Sequence, residues 1–400
     1  MMIVMKAIQK SWRDLLIICL VSLGATALIW LPFFLRLTSF WKISLPAEGM
    51  ATIMKNFDGL YYVVIAKSLY NPEIIKNLVP FNLPAIYYAA HFPLYPLLIK
   101  IGGLVVNHTW SMLSISVIAS LLSAIVFYLF LKEFKLSKDP LWLTIIYLLF
   151  PARWLIVRSV GSPESLFMLF LLTSFYYFKK KNYLFAGGFG ALAQLTKPPG
   201  ILLFVAYAIY LFWQESKETW FTRLAQVFRL SRPTWLAQLT KKVYPLLLIP
   251  LASIGVCLYY LYIYGDFFAY FHSGDNIHLF WPPLQVFNAA AAWVGTYWLE
   301  EVIYVYLLGI LGVIYLFKQK RYDLGIFAAI FYYTILFISH RDISRYSLPM
   351  LPFILIAFDK FLVRKEFKIA FAVILLPIYL YAINFIAGNT LAIADWAPFL

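Results

Sequence analysis

The sequence predicts an all-α, polytopic membrane protein. Of its 400 residues, 63% are hydrophobic and only 13% are charged, and the mean hydropathy is +0.80. Soluble domains carry about 25% charged residues, so the solvent of this chain is lipid. Lipid cannot hydrogen-bond to the backbone, which restricts spanning elements to helices or closed barrels. The apolar runs are continuous rather than alternating, and this pattern selects helices.

The net charge of +15 is explained by the predicted membrane topology and does not indicate a polyanionic partner. Lys and Arg concentrate in short segments between apolar runs, a pattern typical of cytoplasmic loops. These segments are residues 1–13, 132–138, 179–181, 217–242, 318–321 and 360–368. We therefore expect membrane lipids, and no nucleic acid, as partners of the basic segments.

Alternation between these basic segments predicts about eleven transmembrane helices. The predicted spans are residues 15–37, 110–131, 140–157, 163–178, 183–196, 199–213, 244–264, 301–317, 324–339, 347–363 and 369–387. The N-terminus is predicted to be cytoplasmic and the C-terminus extracytoplasmic. The first span is predicted to stay as an anchor, because no small-residue cleavage pattern follows it. Cys19 and Cys257 both lie in apolar runs, so we expect no disulfide.

Two large extracytoplasmic loops, residues 38–109 and 265–300, are predicted within one integral membrane domain, residues 1–400. If the apolar segments 92–106 and 283–298 crossed the membrane, the basic segments would no longer all lie on the cytoplasmic side. We therefore expect these two segments to form short helices in the membrane interface. A loop as long as the first usually carries function. The basic loop 214–243 is predicted to form an amphipathic helix on the cytoplasmic leaflet.

Asp58 is the most informative catalytic candidate, because it is a lone carboxylate among aromatic residues in the first large loop. If residues 54–70 form a helix, Asp58, Tyr61, Tyr62 and Ile65 share one face. Such a face suits stacking against a sugar ring and removal of a proton from its hydroxyl group. The structural alternative is that Asp58 caps the helix, which is a common role for Asp.

Several cations at the predicted extracytoplasmic ends of spans run against the topology bias, which favours a role in binding an anion. They are Arg153, Arg158, Lys197, Arg341 and Arg345. The arginine fork matches phosphate oxygens better than a lysine does. The alternatives are snorkelling to the interface and local ion pairs, such as Arg341 with Asp342.

Glu164 lies in a sequence typical of a helix start, Gly161-Ser162-Pro163-Glu164-Ser165. Ser162 suits the N-cap, Pro163 suits the first helical position, and the carboxylate complements the helix dipole. This interpretation gives Glu164 a structural role. Its predicted position at the same end of the protein also suits orienting a hydroxyl group or a basic side chain.

The second large loop contains a group of possible metal ligands: Asp266, His272, Asp275 and His278. Their spacing matches no strong metal motif, so we assign no metal site and interpret them as solvated loop residues. A divalent cation remains the alternative.

Four sequence features, taken together, resemble a known family. They are Phe57-Asp58-Gly59-Leu60-Tyr61-Tyr62 with Ile65-Ala66, Phe92-Pro93-Leu94-Tyr95-Pro96-Leu97, Ser162-Pro163-Glu164-Ser165-Leu166-Phe167 with Ala186-Gly187-Gly188 and Lys197-Pro198-Pro199-Gly200, and Arg345-Tyr346 with Pro349 and Pro352. In this order they resemble the class V phosphatidylinositol-glycan mannosyltransferases, the GPI mannosyltransferase 2 family, and their prokaryotic relatives. These are membrane glycosyltransferases of the GT-C fold.

The resemblance implies transfer of mannose, or a similar hexose, from a polyprenyl-phosphate carrier to a lipid or glycan acceptor on the extracytoplasmic face. It implies inversion at the sugar carbon, with Asp58 as the general base. The chain departs from the family pattern after Ala66 and in residues 71–90.

The hypothesis from the sequence is therefore a polyprenyl-phosphate-dependent hexosyltransferase in a prokaryotic plasma membrane. The assigned substrate-binding residues are Tyr61, Tyr62, His91 and Glu164, and the assigned phosphate-binding residues are Arg158, Lys197, Arg341 and Arg345. A transporter or lipid flippase is the alternative from another class, since intramembrane charges also mark substrate paths. A non-catalytic subunit of a membrane complex is the third.

Overall fold

The structure is a computed structural model that describes residues 2–78, 83–226, 243–274, 279–288, 290, 298–393 and 395–400. Its α-helices are α1 (Met2–Phe34), α2 (Met50–Met54), α3 (Gly59–Ser68), α4 (Pro72–Leu78), α5 (Leu94–Gly102), α6 (His108–Glu133), α7 (Pro140–Leu149), α8 (Ala152–Val157), α9 (Glu164–Lys179), α10 (Tyr183–Thr196), α11 (Ile201–Gln226), α12 (Leu248–Tyr264), α13 (Ala269–His272), α14 (Trp298–Lys318), α15 (Tyr322–Ile335), α16 (Ile343–Tyr346), α17 (Leu351–Ala357), α18 (Asp359–Leu362) and α19 (Lys365–Gly388). One hairpin pairs β1 (Ser39–Phe40) with β2 (Ile43–Ser44). Short 3₁₀ turns cover Ala85–Ala90, Pro198–Gly200, Tyr244–Leu247, Gln285–Phe287, Leu348–Met350 and Ala397–Phe399.

The predicted helical membrane architecture is confirmed, with one short β-hairpin beside the helices. Five of the described helical segments are long and apolar enough to cross a membrane: Trp12–Phe34, His108–Glu133, Tyr244–Tyr264, Leu299–Lys318 and Lys365–Gly388. Each of the eleven predicted spans overlaps helix. The predicted span 140–157 is broken into α7 and α8 at Phe150 and Pro151, because proline cannot donate the backbone bond that continues a helix. The number of complete crossings stays a prediction.

Buried apolar side chains form two clusters. The first packs α7, α11, α15 and α17 around α6 and α9. The second packs α1, α3, α5 and α19 against another part of α6. Phe57, which precedes α3, packs against both clusters. The segment around Phe57 therefore lies where the two parts of the core meet.

The first large loop contains the short helix that the sequence predicted within residues 92–106. This helix, α5, has nine residues, so it is about 14 Å long, less than half of the hydrocarbon thickness of about 30 Å. The Nζ atom of Lys100 donates to the carbonyl oxygen of Ala66 in α3, at 3.3 Å. The helix is therefore tied to the loop, and its position in the membrane interface stays a prediction.

Two other predicted helices lie largely outside the described residues. Of the predicted helix 283–298, the structure describes residues 283–288 and 290 before α14 begins, and Gln285–Phe287 form a short 3₁₀ turn there. The predicted amphipathic segment 214–243 overlaps the end of α11, and the structure does not describe residues 227–242.

Candidate active site

Asp58 lies in a sharp turn between two helices, not on a helix face. The predicted helix 54–70 is interrupted, because α2 ends at Met54 and α3 begins at Gly59. Phe57 adopts a positive φ of 48°, which no helical residue has. Asp58 occupies the N-cap position of α3, but its side chain makes no capping hydrogen bond. The side chain is 35% exposed, so the carboxylate is available to a ligand.

Two glycines bring the start of α3 close to the loop that leads into α9. A Cβ atom added to Gly59 would lie 2.9 Å from the carbonyl oxygen of Gly161. A Cβ atom added to Gly161 would lie 2.4 Å from the Sδ atom of Met112 in α6. Neither position has room for a side chain without a shift of its neighbours. The absence of both side chains therefore allows Asp58 and Glu164 to approach the same space.

Glu164 is a buried acid that holds two cations. Its Oε1 atom accepts hydrogen bonds from Lys197 Nζ and Arg345 Nε, each at 2.7 Å. Its Oε2 atom accepts from the Ser162 hydroxyl. Ser162 does not cap α9 as predicted: Pro163 occupies the N-cap position and no side-chain capping bond forms. The residue that was predicted to orient a hydroxyl group or a basic group thus contacts two basic side chains, and its role in binding substrate stays a prediction.

Arg345 connects the two carboxylates. Its Nη2 atom lies 3.5 Å from Asp58 Oδ2, while its Nε atom is bonded to Glu164. The guanidinium lies over the ring of Phe57, 4.5 Å from the ring centroid. The side chain is only 12% exposed. Asp58, Glu164, Arg345 and Lys197 form an acid–base cluster whose formal charges cancel, which offsets much of the cost of burying them.

A cavity of about 520 Å³ opens beside this cluster. It is lined by Phe57, Asp58, Arg153, His340, Arg341, Asp342, Arg345, Asn384, Phe385, Gly388, Asn389, Thr390 and Leu391. Asp58, Arg341 and Arg345, all predicted as site residues, therefore lie on one cavity. The volume falls within the range of about 300–1,000 Å³ that is typical of small-molecule sites. Lys197 reaches the cluster from a narrow crevice that Glu164 and Arg345 also line.

One wall of the cavity comes from the end of α19 and the residues after it, none of which is among the predicted site residues. Asn56, two residues before Asp58, donates to the carbonyl oxygen of Ile386 at 2.9 Å and pairs with Thr390 in a β-bridge. The Leu391 amide donates to the Lys55 carbonyl oxygen at 2.9 Å. These bonds join segments about 330 residues apart, and no local sequence pattern signals them.

Arg153, a predicted outer cation left out of the phosphate-binding set, also lines the cavity. Its Nε atom lies 3.1 Å from Asp342 Oδ1, and its guanidinium lies 4.0 Å from the ring centroid of Phe385. Phe385 stacks on Phe57, with ring centroids 5.6 Å apart. An aromatic pair therefore lies between the Arg153 contact and the Arg345 contact.

Tyr61, Tyr62 and His91, which were predicted to line a sugar pocket, are not on the cavity wall. Tyr62 and His91 are 5% and 4% exposed, and their rings meet edge to face at 4.9 Å. Tyr61 is also buried and makes an edge contact with His91 at 5.7 Å. Burial lowers the pKa of His91 to about 4, so its ring is neutral at pH 7. The backbone amides of Tyr61 and Tyr62 donate to the Asp58 carbonyl oxygen at 2.9 and 3.3 Å, so these two residues contact Asp58 through the backbone.

Arg158, predicted to bind phosphate, lies away from the cavity. It is fully buried, and it donates to the Ser22 carbonyl oxygen at 2.9 Å and to Thr26 Oγ1 at 3.0 Å. Both acceptors belong to α1. Cations in a membrane protein are satisfied by backbone carbonyls as well as by acids. Arg158 therefore fastens α1 to the segment before α9, and we remove it from the phosphate-binding set.

The possible metal ligands of the second loop do not converge in the part of the chain that is described. His272 Nδ1 lies 2.6 Å from Asp266 Oδ2 in an exposed position, whereas Asp275 and His278 lie outside the described residues. Across the described residues, no group of three or more His, Cys, Asp or Glu side chains is placed to hold a metal ion.

Comparisons with known proteins place this geometry in context. Residues 90–230 match the family model described as dolichyl-phosphate-mannose-protein mannosyltransferase. This segment includes Glu164 and Lys197 but neither Asp58 nor Arg345. No curated protein sequence matches the chain.

Among solved structures, the chain is similar to the archaeal oligosaccharyltransferase AglB from Archaeoglobus fulgidus in complex with an inhibitory peptide and a dolichol-phosphate. The TM-score is 0.50 and the identity 14%, over 97% of this chain and 57% of that one. The apo form of the Archaeoglobus fulgidus oligosaccharyltransferase gives a TM-score of 0.46 and 13% identity, over 93% of this chain and 56% of that one. The chain thus spans little more than half of these proteins. AglB has the GT-C fold, so the GT-C fold predicted from the sequence is confirmed.

Proposed function

We propose that this GT-C protein is an inverting glycosyltransferase that moves mannose or a similar hexose from a polyprenyl-phosphate-linked donor to a lipid or glycan acceptor on the extracytoplasmic face. The observation that carries the proposal is the Asp58 carboxylate, which is partly exposed in a cavity also lined by Arg341 and Arg345. The dolichyl-phosphate chemistry in the name of the matching family and the dolichol-phosphate in the AglB complex support the donor class.

In the proposed reaction, Asp58 accepts the proton of an acceptor hydroxyl group as that oxygen attacks the sugar carbon. The new carbon–oxygen bond forms while the bond between this carbon and the donor phosphate oxygen breaks. The electron pair of the broken bond stays on the phosphate oxygen. A single displacement of this kind inverts the configuration of the sugar carbon, and one positioned carboxylate is sufficient as general base.

The leaving group determines what the remaining cavity residues must do. The donor is a phosphodiester with one negative charge, and the departing polyprenyl phosphate gains a second. Fixed cations in a site with little water stabilise such developing charge more strongly than water does. Three arginines on the cavity wall, Arg153, Arg341 and Arg345, supply such cations.

The site is built at the ends of helices, which favours the enzyme over the transporter or flippase alternative. Asp58 precedes α3, Arg153 lies in the first turn of α8, and Asn384 lies in the last turns of α19. Transporters usually bind substrate near the membrane midplane, between broken helices of repeated halves. A site at helix ends suits a reaction at the membrane surface.

The direct test uses purified protein in detergent or nanodiscs with labelled polyprenyl-phosphate-mannose and a crude membrane lipid extract as acceptor. We expect label to move to an acceptor and polyprenyl phosphate to be released in equal amount. A panel of polyprenyl-phosphate hexoses and a nucleotide-sugar donor are included in parallel. Transfer from the nucleotide sugar alone, or from none of these donors, would contradict the proposal.

A further inference from the structure

The cations of the candidate site differ in how much of their hydrogen-bonding capacity is used. Glu164 binds both Lys197 and Arg345, and Arg345 also reaches Asp58. The acid–base cluster is thus internally neutralised. A donor phosphate that replaced these contacts would leave Glu164 as a buried charge without its partners, which costs several kcal/mol. The cluster is therefore a poor primary site for an added anion.

Arg153 is also paired with an acid, Asp342, but it uses less of its hydrogen-bonding capacity. Its side chain is 6% exposed and borders the cavity. Its Nε atom approaches Asp342, and its Nη2 atom makes a long contact of 3.5 Å to the Tyr381 hydroxyl. Its Nη1 atom is buried and has no hydrogen-bond partner among the residues that the structure describes. A buried donor on a charged group that lacks a partner is costly. The Nε atom of Arg158 is also without a partner among the described residues, but of these two arginines it is Arg153 that borders the cavity, where a ligand can approach its guanidinium.

The surroundings hold the Arg153 guanidinium in a fixed plane. The Phe385 ring lies 4.0 Å below it, and the Ser344 hydroxyl accepts from Nε at 3.4 Å. Arg341 lines the same cavity and is exposed, so it can add a second guanidinium to a ligand at this position. A rigid arginine with an unused donor, beside a second, exposed arginine, is the arrangement that suits phosphate oxygens.

We propose that Arg153, together with Arg341, binds the phosphate group of the lipid-linked donor, and that Arg345 instead orients Asp58. This inference rests on the proposed function and changes the phosphate-binding set that the sequence predicted. The Phe57–Phe385 pair, which contacts Arg345 at one ring and Arg153 at the other, then lies between the base and the phosphate. The sugar of the donor would occupy the cavity beside these rings.

The test measures binding rather than turnover, because binding separates this inference from the proposed reaction. The probes are citronellyl phosphate (a short isoprenyl phosphate), citronellol and inorganic phosphate, added to purified full-length protein. Loss of one charge-assisted hydrogen bond corresponds to about a 10- to 100-fold change in affinity. We expect Arg153→Gln to weaken citronellyl phosphate binding by this factor and to leave citronellol binding unchanged. We expect Arg153→Lys to be intermediate, since it keeps the charge but not the fork.

Lys368→Gln is the matched control, because it also removes one positive charge but does so far from the cavity. Lys368 lies about 30 Å along α19 from Gly388, which lines the cavity. The affinity of this variant for citronellyl phosphate should equal that of the wild type. Inorganic phosphate should compete with citronellyl phosphate for binding to the wild type and to this control, but not to Arg153→Gln. This result would show that the protein recognises the phosphate group of the probe rather than its isoprenyl chain. If Arg153→Gln does not fold, Arg153→Lys carries the same comparison.

The inference would be overturned if Arg153→Gln bound citronellyl phosphate as tightly as the wild type does. It would also be overturned if Lys197→Gln lost binding while Arg153→Gln did not. Either result leaves the proposed transferase intact if sugar transfer is observed. Conversely, Arg153-dependent phosphate binding without sugar transfer from any donor would overturn the proposed function and retain the anion site. Wild-type protein that binds no citronellyl phosphate would overturn the inference, whereas the absence of sugar transfer from every donor would overturn the proposed function.

Discussion

Arg345 and Glu164 are 181 residues apart in the chain, yet Arg345 Nε donates to Glu164 Oε1 at 2.7 Å. Both side chains are largely buried, with 12% and 4% exposed. The same carboxylate oxygen accepts from Lys197, and Arg345 reaches on to Asp58. One buried acid therefore determines the positions of two cations and, through Arg345, the environment of the proposed base.

Replacing Asp58 with Asn should remove the proposed base while keeping the size of the side chain. We expect Asp58→Asn to lower the transfer rate by about 10²- to 10⁴-fold, the usual contribution of a general base, with donor affinity retained. The measurement is single-turnover transfer from labelled polyprenyl-phosphate-mannose. Asp266→Asn, in an exposed loop, is the control. Full activity of Asp58→Asn would exclude this carboxylate from the mechanism.

Replacing Glu164 with Gln should destabilise the protein, because Lys197 and Arg345 would face each other without a negative charge. Breaking a buried pair typically costs about 3–5 kcal/mol. The measurement is the thermal unfolding midpoint in detergent. The double variant Glu164→Gln with Lys197→Met should recover part of the loss, because one of the two uncompensated cations is gone. Equal destabilisation by the single and the double variant would argue against this coupling.

Adding a methyl group at Gly59 should separate the two helix starts that form the site. The new Cβ would lie 2.9 Å from the Gly161 carbonyl oxygen and 3.2 Å from the Met54 carbonyl oxygen, and backbone atoms cannot yield cheaply. We expect Gly59→Ala to cost about 1–3 kcal/mol and to reduce transfer. Gly188→Ala in α10 is the matched control, since nothing lies within 4 Å of its added Cβ. A stable, fully active Gly59→Ala would refute the close approach.

The buried neutral ring of His91 should make stability depend on pH in the acidic range. Burial lowers its pKa to about 4 in the folded protein, against an ordinary value of 6.5. The unfolded chain therefore takes up a proton first as pH falls, and the folded state is disfavoured from pH 6.5 down to 4. Between pH 7 and 5 this amounts to about 2 kcal/mol of unfolding free energy.

The check compares thermal unfolding midpoints of the wild type and His91→Asn at pH 7 and pH 5. Burial also lowers the pKa of His340. This residue is present in both proteins, so its contribution to the pH dependence cancels in the comparison. We expect the midpoint of the wild type to fall more between the two pH values than that of the variant. Parallel decreases would mean that His91 does not carry the effect.

The side of the membrane on which the cavity opens can be tested by cysteine labelling. In a background with Cys19 and Cys257 replaced by Ser, Asn384→Cys places a thiol on the exposed cavity wall. An impermeant maleimide should label it in intact cells, because the proposed site is extracytoplasmic. Lys320→Cys, in a predicted cytoplasmic loop, should be labelled only after permeabilisation. The reverse pattern would invert the predicted topology.

The sequence determined the helical membrane architecture because hydropathy and charge placement are local properties. Each predicted span overlaps helix, and the GT-C fold followed from motifs that lie in order along the chain. Asp58, Arg341 and Arg345 were assigned to the site because their residue types are unusual at the ends of apolar runs, and the structure places them on one cavity.

Only the tertiary structure decided which of the remaining candidates meet. Arg153 and Arg158 are five residues apart in the same short segment, yet one borders the cavity and the other is bonded to α1. The break of the helix at Phe57 and the wall formed by the end of α19 were equally unpredictable. The physical reason is that pairing between distant segments depends on how whole helices pack. A local pattern records what a residue is, whereas packing determines which residue it faces.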